Sequence, residues 1–187
     1  MIGVQDLRKG TTYIEDSDLW RVMEYEHVKT GRGNATIRVK VRNVRSGGSQ
    51  TKTYPSGSRV QDIRLDHADV QYLYNDGDLY YFMDLETNEQ PMISGKLLGD
   101  AVQFLIDGMT LELETYEGEP ISIELPTTVE MEVLQTDPGF AGDTATNATK
   151  PAKVSTGLQV QVPLFVETGD VIRIDTRTGA YLTRVTG

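Results

Sequence analysis

The chain contains no cysteine and only two histidines among its 187 residues. The absence of cysteine excludes a disulfide framework, a thiolate zinc site and a cysteine nucleophile, and it fits a reducing compartment. Because His27 and His67 are the only imidazoles, a His-rich metal site is excluded and a Ser-His-Asp triad has little support. Paired carboxylates such as Glu112 and Glu114 fit outward positions on an exposed strand better than an acid–base pair. We therefore expect no enzyme activity, no bound metal and no cofactor.

Long apolar runs are also missing. No stretch approaches the roughly 20 apolar residues that a membrane-spanning helix requires. The first ten residues, MIGVQDLRKG, lack the apolar centre of a secretory signal. Charged residues make up 25% of the chain, which is the usual share in globular proteins. These features predict a soluble cytoplasmic protein without a membrane partner.

Helical periodicity is nearly absent, and only GKLLGDAVQFLIDG at 95–108 predicts a short helical or 3₁₀ segment. Short alternating runs bounded by turn residues occur along the rest of the chain, as expected of β-strands. Their number and spacing predict an all-β fold of three small β-barrels in series. We place the boundaries of the three units at 1–64, 65–127 and 128–187.

Three hairpins are predicted most clearly. TIRVKV, starting at Thr36, alternates apolar and basic residues and pairs with LWRVMEYE across the long loop 27–35. The second hairpin turns at Asn75-Asp76-Gly77-Asp78 and the third at Glu117-Gly118. Farther along the chain, TTVEMEVLQT predicts a strand, 137–152 predicts a loop, and three further strands follow.

Charge is unevenly distributed. The formal net charge is −10, yet no Asp or Glu occurs from His27 to Gln61. This favours a surface for a polyanion, although chance clustering on a solvated face is the alternative. The acid-free segment holds eight basic residues, which are Lys29, Arg32, Arg38, Lys40, Arg42, Arg45, Lys52 and Arg59.

The loop at 27–35 carries Arg32 between Gly31 and Gly33. Arginine is permanently charged, planar and rich in donors, so it suits phosphates and stacked bases. The flanking glycines allow a sharp turn or a close backbone approach to another molecule. The pattern favours a functional tip, while an ordinary flexible hairpin end remains the alternative.

Several runs resemble bacterial translation elongation factor P. They are the tip GRGNA, YLYNDGD followed by FMDLET, GEPISIELP, and the long run from Lys150 to Arg184, which is highly specific. The resemblance covers most of the chain. It implies an N-terminal SH3-like (KOW-type) barrel followed by two OB-folds in an L-shaped, tRNA-like outline.

Members of that family bind the ribosome between the peptidyl-tRNA (P) and exit (E) sites, and they relieve stalling at consecutive prolines without hydrolysing a substrate. The resemblance implies that this chain positions the CCA end of peptidyl-tRNA and so promotes peptide bond formation. The implied partners are the 70S ribosome, its ribosomal RNA, P-site peptidyl-tRNA and mRNA at the E site. The implied state is a monomer.

The resemblance also assigns residues. Arg32 takes the place of the lysine or arginine at the family's tip, which in some arginine-tipped members carries a rhamnose. Arg32 is therefore the candidate substrate of a tip-modifying enzyme, although Thr30 replaces the proline found in many members. The tip as a whole comprises Lys29, Thr30, Gly31, Arg32, Gly33 and Asn34.

Three further groups complete the predicted site. Basic strand residues can grip tRNA phosphates, which positions a tRNA without reading its sequence; these are Arg38, Lys40 and Arg42. The resemblance places a Gly-Asp-Thr loop near the E-site codon and a Tyr-x-x-Arg pair at the small-subunit end. The matching residues are Gly142, Asp143 and Thr144 for the loop, and Tyr181 and Arg184 for the pair.

Two other hypotheses stay open. One is a diverged paralogue with the same architecture. The other is a generic OB/KOW nucleic-acid-binding module, which should bind free single strands with a strong salt dependence. An elongation factor should instead bind free RNA weakly and bind ribosomes whose E site is vacant.

Overall fold

The structure is a computed structural model that describes residues 1–29, 31, 33–139 and 148–186. Within those ranges it contains sixteen β-strands in three sheets, one α-helical turn and two short 3₁₀ helices. The predicted all-β class is therefore confirmed. None of the helices in the described ranges is long and apolar enough to cross a membrane.

The first sheet has six strands in the order β1-β6-β2-β3-β4-β5. A 3₁₀ turn, Val4–Asp6, follows its first strand. Neighbouring strands are antiparallel throughout this sheet. The strands are β1 (Ile2–Gly3), β2 (Thr12–Glu15), β3 (Asp18–Val28), β4 (Thr36–Asn43), β5 (Ser49–Pro55) and β6 (Arg59–Asp62).

The β3–β4 hairpin forms as its alternation predicts. Ile37, Val39 and Val41 have no exposed surface, while Arg38 and Lys40 lie on the opposite, exposed face. Side chains two residues apart along a strand lie on the same face of the sheet. Burying three branched side chains from one strand fixes the register, because a slip by one residue would turn them all to solvent.

The second sheet has five strands in the order β11-β10-β7-β8-β9. The predicted turn after Asn75 is present, with Gly77 at φ 102°. The predicted turn at Glu117-Gly118 is also present, and both residues have positive φ. The strands are β7 (Asp66–Asn75), β8 (Leu79–Asp84), β9 (Met92–Ser94), β10 (Thr110–Tyr116) and β11 (Glu119–Glu124).

The helical segment predicted at 95–108 is confirmed between β9 and β10, but it ends at Phe104. Helix α1 (Gly95–Leu98) begins after Ser94, whose Oγ accepts a hydrogen bond from the Lys96 amide at 3.2 Å. Such a cap satisfies an amide that has no partner inside the helix. A 3₁₀ turn (Gly99–Phe104) follows directly.

The third sheet has five strands in the order β14-β13-β12-β15-β16. Its core is formed largely by valine and isoleucine side chains from all its central strands. The strands are β12 (Thr128–Thr136), β13 (Thr149–Val154), β14 (Gln159–Pro163), β15 (Val171–Asp175) and β16 (Tyr181–Val185).

Strand β13 corrects the sequence analysis, which assigned 137–152 to a loop. Lys150 at an inward position hides the alternation, and Pro151 is unusual within a sheet because it has no amide hydrogen to donate. In the structure both residues nevertheless lie within β13. The buried Lys150 ammonium donates to the Asp137 carbonyl at 2.6 Å, and the Pro151 carbonyl accepts from Thr136 Oγ1 at 2.9 Å.

The first and second sheets are joined by a mixed contact. Leu19 of β3 and Val44, which follows β4, pack against Ile121 of β11 in one buried cluster. Beside it, Arg21 on β3 donates to Glu114 Oε2 on β10 at 2.6 Å. The expectation that Glu114 points into solvent was wrong, since its side chain is only 13% exposed.

The second and third sheets are joined by an aromatic anchor. Phe104 ends the 3₁₀ turn before β10, yet its side chain belongs to the core of the third sheet. Thr156 Oγ1 also donates to the Gln103 carbonyl at 2.6 Å. Each junction therefore combines apolar burial with a hydrogen bond across the boundary.

We expect Glu114→Gln to lower the free energy of unfolding by about 1–3 kcal/mol, because it removes the charged acceptor of a partly buried Arg21. Urea unfolding followed by the fluorescence of Trp20, the only tryptophan, measures this change. Glu130→Gln is the matched control, because its pair with Arg173 is about half exposed and should contribute less than about 1 kcal/mol. Equal effects of the two substitutions would contradict this role for Glu114.

Candidate functional site

The candidate site begins at the end of the β3–β4 hairpin. Strand β3 runs to Val28 and β4 starts at Thr36, which are paired, so the predicted loop is present but begins after Val28 rather than at residue 27. Lys29, Gly31, Gly33 and Asn34 are all exposed. Thr30 and Arg32 lie outside the described residues.

The loop has free space around its backbone at Gly31. A Cβ built on Gly31 would meet no atom within 4 Å. At its base the hairpin is held firmly, because the Ser56 amide donates to the Ala35 carbonyl at 2.9 Å. Thr36 also pairs with Pro55 at the end of β5. A well-supported base and an open tip suit a segment that must reach another molecule.

The basic row on β4, Arg38 and Lys40, faces different residues on strands β3 and β5. Arg38 and Lys40 face Glu26 and Glu24 across β3 in the strand register. The Arg38 guanidinium lies 3.5 Å from Glu26, and the Lys40 ammonium lies 3.2 Å from Glu24. On the other side, β5 offers Thr53 and Thr51 opposite the same two residues. All four charged side chains are more than half exposed, so water screens these pairs and an incoming phosphate can compete for the cations.

Arg42, the third predicted phosphate contact, has a different environment. Its Nη2 donates to the Lys96 carbonyl at 3.1 Å, and its Nε donates to the Gly47 carbonyl at 3.3 Å. Its side chain is half-buried against helix α1 of the second unit. The structure thus links Arg42 to the junction between the first two sheets.

Other basic residues of the acid-free segment also have intramolecular partners. Lys52 points inward, forms an ion pair with Glu15, and lies 4.2 Å above the Trp20 ring. Arg45 pairs with Glu119 of the second sheet at 3.2 Å. Arg59 donates to the Met1 carbonyl at 2.7 Å. The segment is therefore less positive at the surface than its composition indicates.

Two tyrosines support the inner side of this hairpin. The hydroxyls of Tyr13 and Tyr54 lie 2.9 Å apart, and Tyr54 donates to Glu15 at 3.0 Å. Burial raises the pKa of Tyr13 to about 12, and burial also raises the pKa of Tyr54. Both phenols stay protonated at neutral pH, and their hydrogen bonds link Tyr13 on β2 to Tyr54 on β5.

At the opposite end of the chain, Tyr181 and Arg184 lie on β16. Tyr181 is half-buried against the third core, so it anchors the strand. Arg184 is exposed; its guanidinium lies 5.2 Å from the centre of the Phe165 ring and 3.4 Å from Asp170. Phe165 is 57% exposed, so this corner presents an aromatic ring and a cation together. Gly142, Asp143 and Thr144 lie outside the described residues.

The turn before β16 is held by one carboxylate. Asp175 Oδ1 accepts from the Arg177 amide at 2.8 Å and Oδ2 accepts from the Arg177 guanidinium at 2.8 Å. These hydrogen bonds lower the pKa of Asp175 to about 2. The Asp175 carbonyl also accepts from the Gly179 amide at 2.8 Å, which closes the turn that leads into Tyr181.

The residues that sequence reasoning missed are mostly partners of the predicted ones. Glu24 and Glu26 lie outside the acid-free segment, and only strand pairing brings them beside Arg38 and Lys40. Separately, His67, Glu114 and Glu124 bring potential ligand atoms within 4.8 Å of one another. Glu114 is already bonded to Arg21, so this ion pair accounts for its charge.

We expect Arg177→Gln to raise the pKa of Asp175 toward its ordinary value of 3.8. A carboxyl with a lowered pKa stabilises the fold above that ordinary value, and its contribution is lost as pH falls from about 4 to about 2. Carboxyl-carbon NMR titration of Asp175 measures the change directly. Arg173→Gln is the control and should leave this titration unaltered; an unaltered titration in Arg177→Gln would contradict the assigned cause.

Comparison with known proteins covers all three sheets. Residues 3–60 match the family model for the "Elongation factor P (EF-P) KOW-like domain". Residues 65–123 match the "Elongation factor P (EF-P) OB domain", and residues 129–184 match "Elongation factor P, C-terminal". The matches follow the three sheets in chain order.

Whole-chain relatives agree with these family models. The chain is 50% identical to elongation factor P of Moorella thermoacetica over 184 residues, which are 98% of this chain and 100% of the relative. It is 47% identical to elongation factor P of Thermoanaerobacter sp. over 185 residues, covering 99% of this chain and 100% of the relative. A solved structure, eukaryotic translation initiation factor 5A from Methanococcus jannaschii, matches with a TM-score of 0.52 and 22% identity, covering 66% of this chain and 90% of that one. This last likeness concerns the fold alone.

Proposed function

This chain belongs to the elongation factor P family of non-enzymatic translation elongation factors that interact with the ribosome, and we propose that it relieves stalling at consecutive prolines. In this proposal the chain binds between the P and E sites. The β3–β4 tip, Lys29 to Asn34, reaches the CCA end of the peptidyl-tRNA. Arg32 is the working residue of the tip and the site of any modification.

The observation that carries the proposal is the open, firmly based hairpin tip. No atom of the described chain approaches Gly31 within 4 Å of a built Cβ, while the base of the hairpin is fixed by paired strands on both sides of β4. A loop whose exposed residues stand on a paired base can contact a ligand while the strands beneath it keep their register. Prolyl substrates react slowly partly because their constrained geometry misaligns the reacting atoms, so holding the tRNA end in place lowers the barrier through orientation.

Arg38 and Lys40 are the proposed phosphate contacts beside the tip. Both lie on the exposed face of β4, and both keep at least half of the side chain in solvent. Their pairs with Glu26 and Glu24 are screened and can be exchanged for a phosphate oxygen at small cost. We also propose Arg42 as a phosphate contact, but a weaker one, because its guanidinium already donates to two carbonyl groups.

The third unit supplies the proposed small-subunit end. Arg184 and Phe165 form an exposed cation–aromatic pair, which can contact RNA through charge and stacking. The loop containing Gly142, Asp143 and Thr144 is proposed to approach mRNA at the E site. With boundaries at 1–64, 65–127 and 128–187, the three units would carry the tip and this end in a tRNA-like outline.

The main test is Arg32→Ala. We expect it to abolish relief of polyproline stalling, because alanine removes the charge, the donors and any modification from the tip. Toeprinting on a reporter with consecutive prolines measures stalling, and Trp20 fluorescence verifies folding. Arg173→Ala, which removes an exposed arginine of the third sheet, is the control; full rescue by Arg32→Ala would refute the proposal.

Glu24 and Glu26 provide a second test. Replacing both with glutamine should strengthen binding to free single-stranded RNA, because Arg38 and Lys40 lose their competing carboxylates. If both cations then engage phosphates, the slope of log K against log salt should steepen by roughly 1.4. Fluorescence anisotropy with labelled RNA measures both quantities.

The control for that experiment is Glu130→Gln with Glu132→Gln on the third sheet, which makes the same charge change far from the tip. Tight RNA binding by the unsubstituted chain, comparable with its affinity for ribosomes, would favour the generic nucleic-acid-binding module instead. Equal effects of the two double substitutions would show that total charge, rather than the β3–β4 pairs, governs RNA binding.

A further inference from the structure

The second sheet has an outward face with an aromatic and apolar end. Val70, Tyr72 and Phe82 of this sheet point into its core. Tyr81 precedes Phe82 and points outward, and the bulge between Tyr72 and Tyr74 turns Tyr74 to the same outward face. The register places Tyr74 beside Tyr81 and Tyr81 beside Met92. This row, Tyr74–Tyr81–Met92, crosses three strands and ends on the edge strand β9.

The two ends of the row are exposed, and its two rings are stacked. The Tyr74 and Tyr81 rings stack with centroids 4.6 Å apart and an interplanar angle of 16°. Tyr74 is 53% exposed and Met92 is 54% exposed. The Tyr81 hydroxyl donates to Asp76 at 3.1 Å, which holds the ring in place. A preformed apolar surface of this kind, left in water, is typical of an interaction site.

The opposite end of the same face is acidic. The register places Glu112 between Asp69 on β7 and Glu124 on β11, so three carboxylates form one row across adjacent strands. Like charges directly opposite one another destabilise a sheet. The Glu112 carboxylate lies 3.5 Å from His67 Nδ1 and, within the described residues, forms no ion pair with a lysine or arginine. A cation bound to this row would relieve the repulsion.

The charge of the whole unit supports the same conclusion. Residues 65–124 hold 14 of the chain's 28 Asp and Glu residues, and Lys96 is their only Lys or Arg. Lys96 follows β9, so no strand of the second sheet carries a lysine or arginine. A phosphate backbone would be repelled by such a surface, whereas lysine and arginine would be attracted and arginine could stack on the tyrosines.

We propose that the outward face of the second sheet docks a cationic polypeptide segment. Arginine or lysine side chains of the partner pair with the Asp69–Glu112–Glu124 row, and an arginine plane or an apolar side chain covers the Tyr74–Tyr81–Met92 row. The partner is a protein with a basic, partly apolar surface, and it is not a nucleic acid. This surface is separate from the tip and from the basic row on β4.

The test uses the full chain and a fluorescein-labelled peptide with the repeat Arg-Leu-Lys-Gly, measured by anisotropy. The control peptide carries Glu in place of both Arg and Lys. We expect the cationic peptide to bind and the acidic one not to bind. Tyr74→Ser with Met92→Ser should weaken binding by about 5-fold or more, as expected for the loss of stacking and apolar cover.

Asp69→Asn with Glu112→Gln should also weaken binding and flatten its salt dependence, because two of the three carboxylates are removed. Matched controls lie in the third unit. Leu134→Ser removes an apolar side chain that is 51% exposed, and Glu132→Gln with Glu167→Gln removes two exposed carboxylates. Both controls should leave peptide binding unchanged.

Three results would overturn the proposal. The first is equal weakening by the control substitutions, and the second is binding of labelled single-stranded RNA that is lost in Tyr74→Ser with Met92→Ser. The third is self-association of the chain that the same substitution abolishes, since it would identify a second copy as the occupant. The assay contains no ribosome, so its failure is distinct from failure of the polyproline test.

Discussion

The pairing of β3 with β4 is the interaction on which the rest of the molecule depends. The buried side of this hairpin supplies Val22, Ile37 and Val39 to the first core, and its far end supports the open tip. Its exposed side sets a basic row against an acidic one. A one-residue change in register would move the apolar residues to solvent and the charges to the core. The tip, the first core and the exposed charges therefore all depend on the pairing of these two strands.

The junctions between the units hold the hairpin in place relative to the rest of the chain. Arg21 lies on the same strand β3 and donates a hydrogen bond to Glu114 in the second sheet. Phe104 belongs to the second unit, and its side chain packs in the core of the third sheet. Each junction is built from a few contacts, so its stability depends on charged and aromatic side chains placed at the boundary. The proposed role of the tip requires such fixed junctions, because orientation of a ligand is lost if the base of the hairpin rotates.

The first and second units expose charges of opposite sign. The first unit carries the exposed Arg38–Lys40 row, and the second carries an aromatic and acidic face without a strand lysine or arginine. A tRNA would be attracted to the first surface and repelled by the second. A basic protein would have the opposite preference. The two faces together would orient the chain between RNA and protein neighbours, since each surface disfavours the partner of the other.

The sequence by itself determined the all-β class, the three hairpin turns, the short helical segment and the family, because these rest on local periodicity, turn residues and recognisable motifs. It missed β13, since Lys150 at an inward position and Pro151 conceal the strand pattern. It could not show that Lys52 turns inward to Glu15, that Arg42 reaches the second unit, or that Glu24 and Glu26 lie beside the basic row. Only the tertiary structure decided these points, because electrostatic environment depends on distance in space, and strand pairing brings together residues that are far apart along the chain.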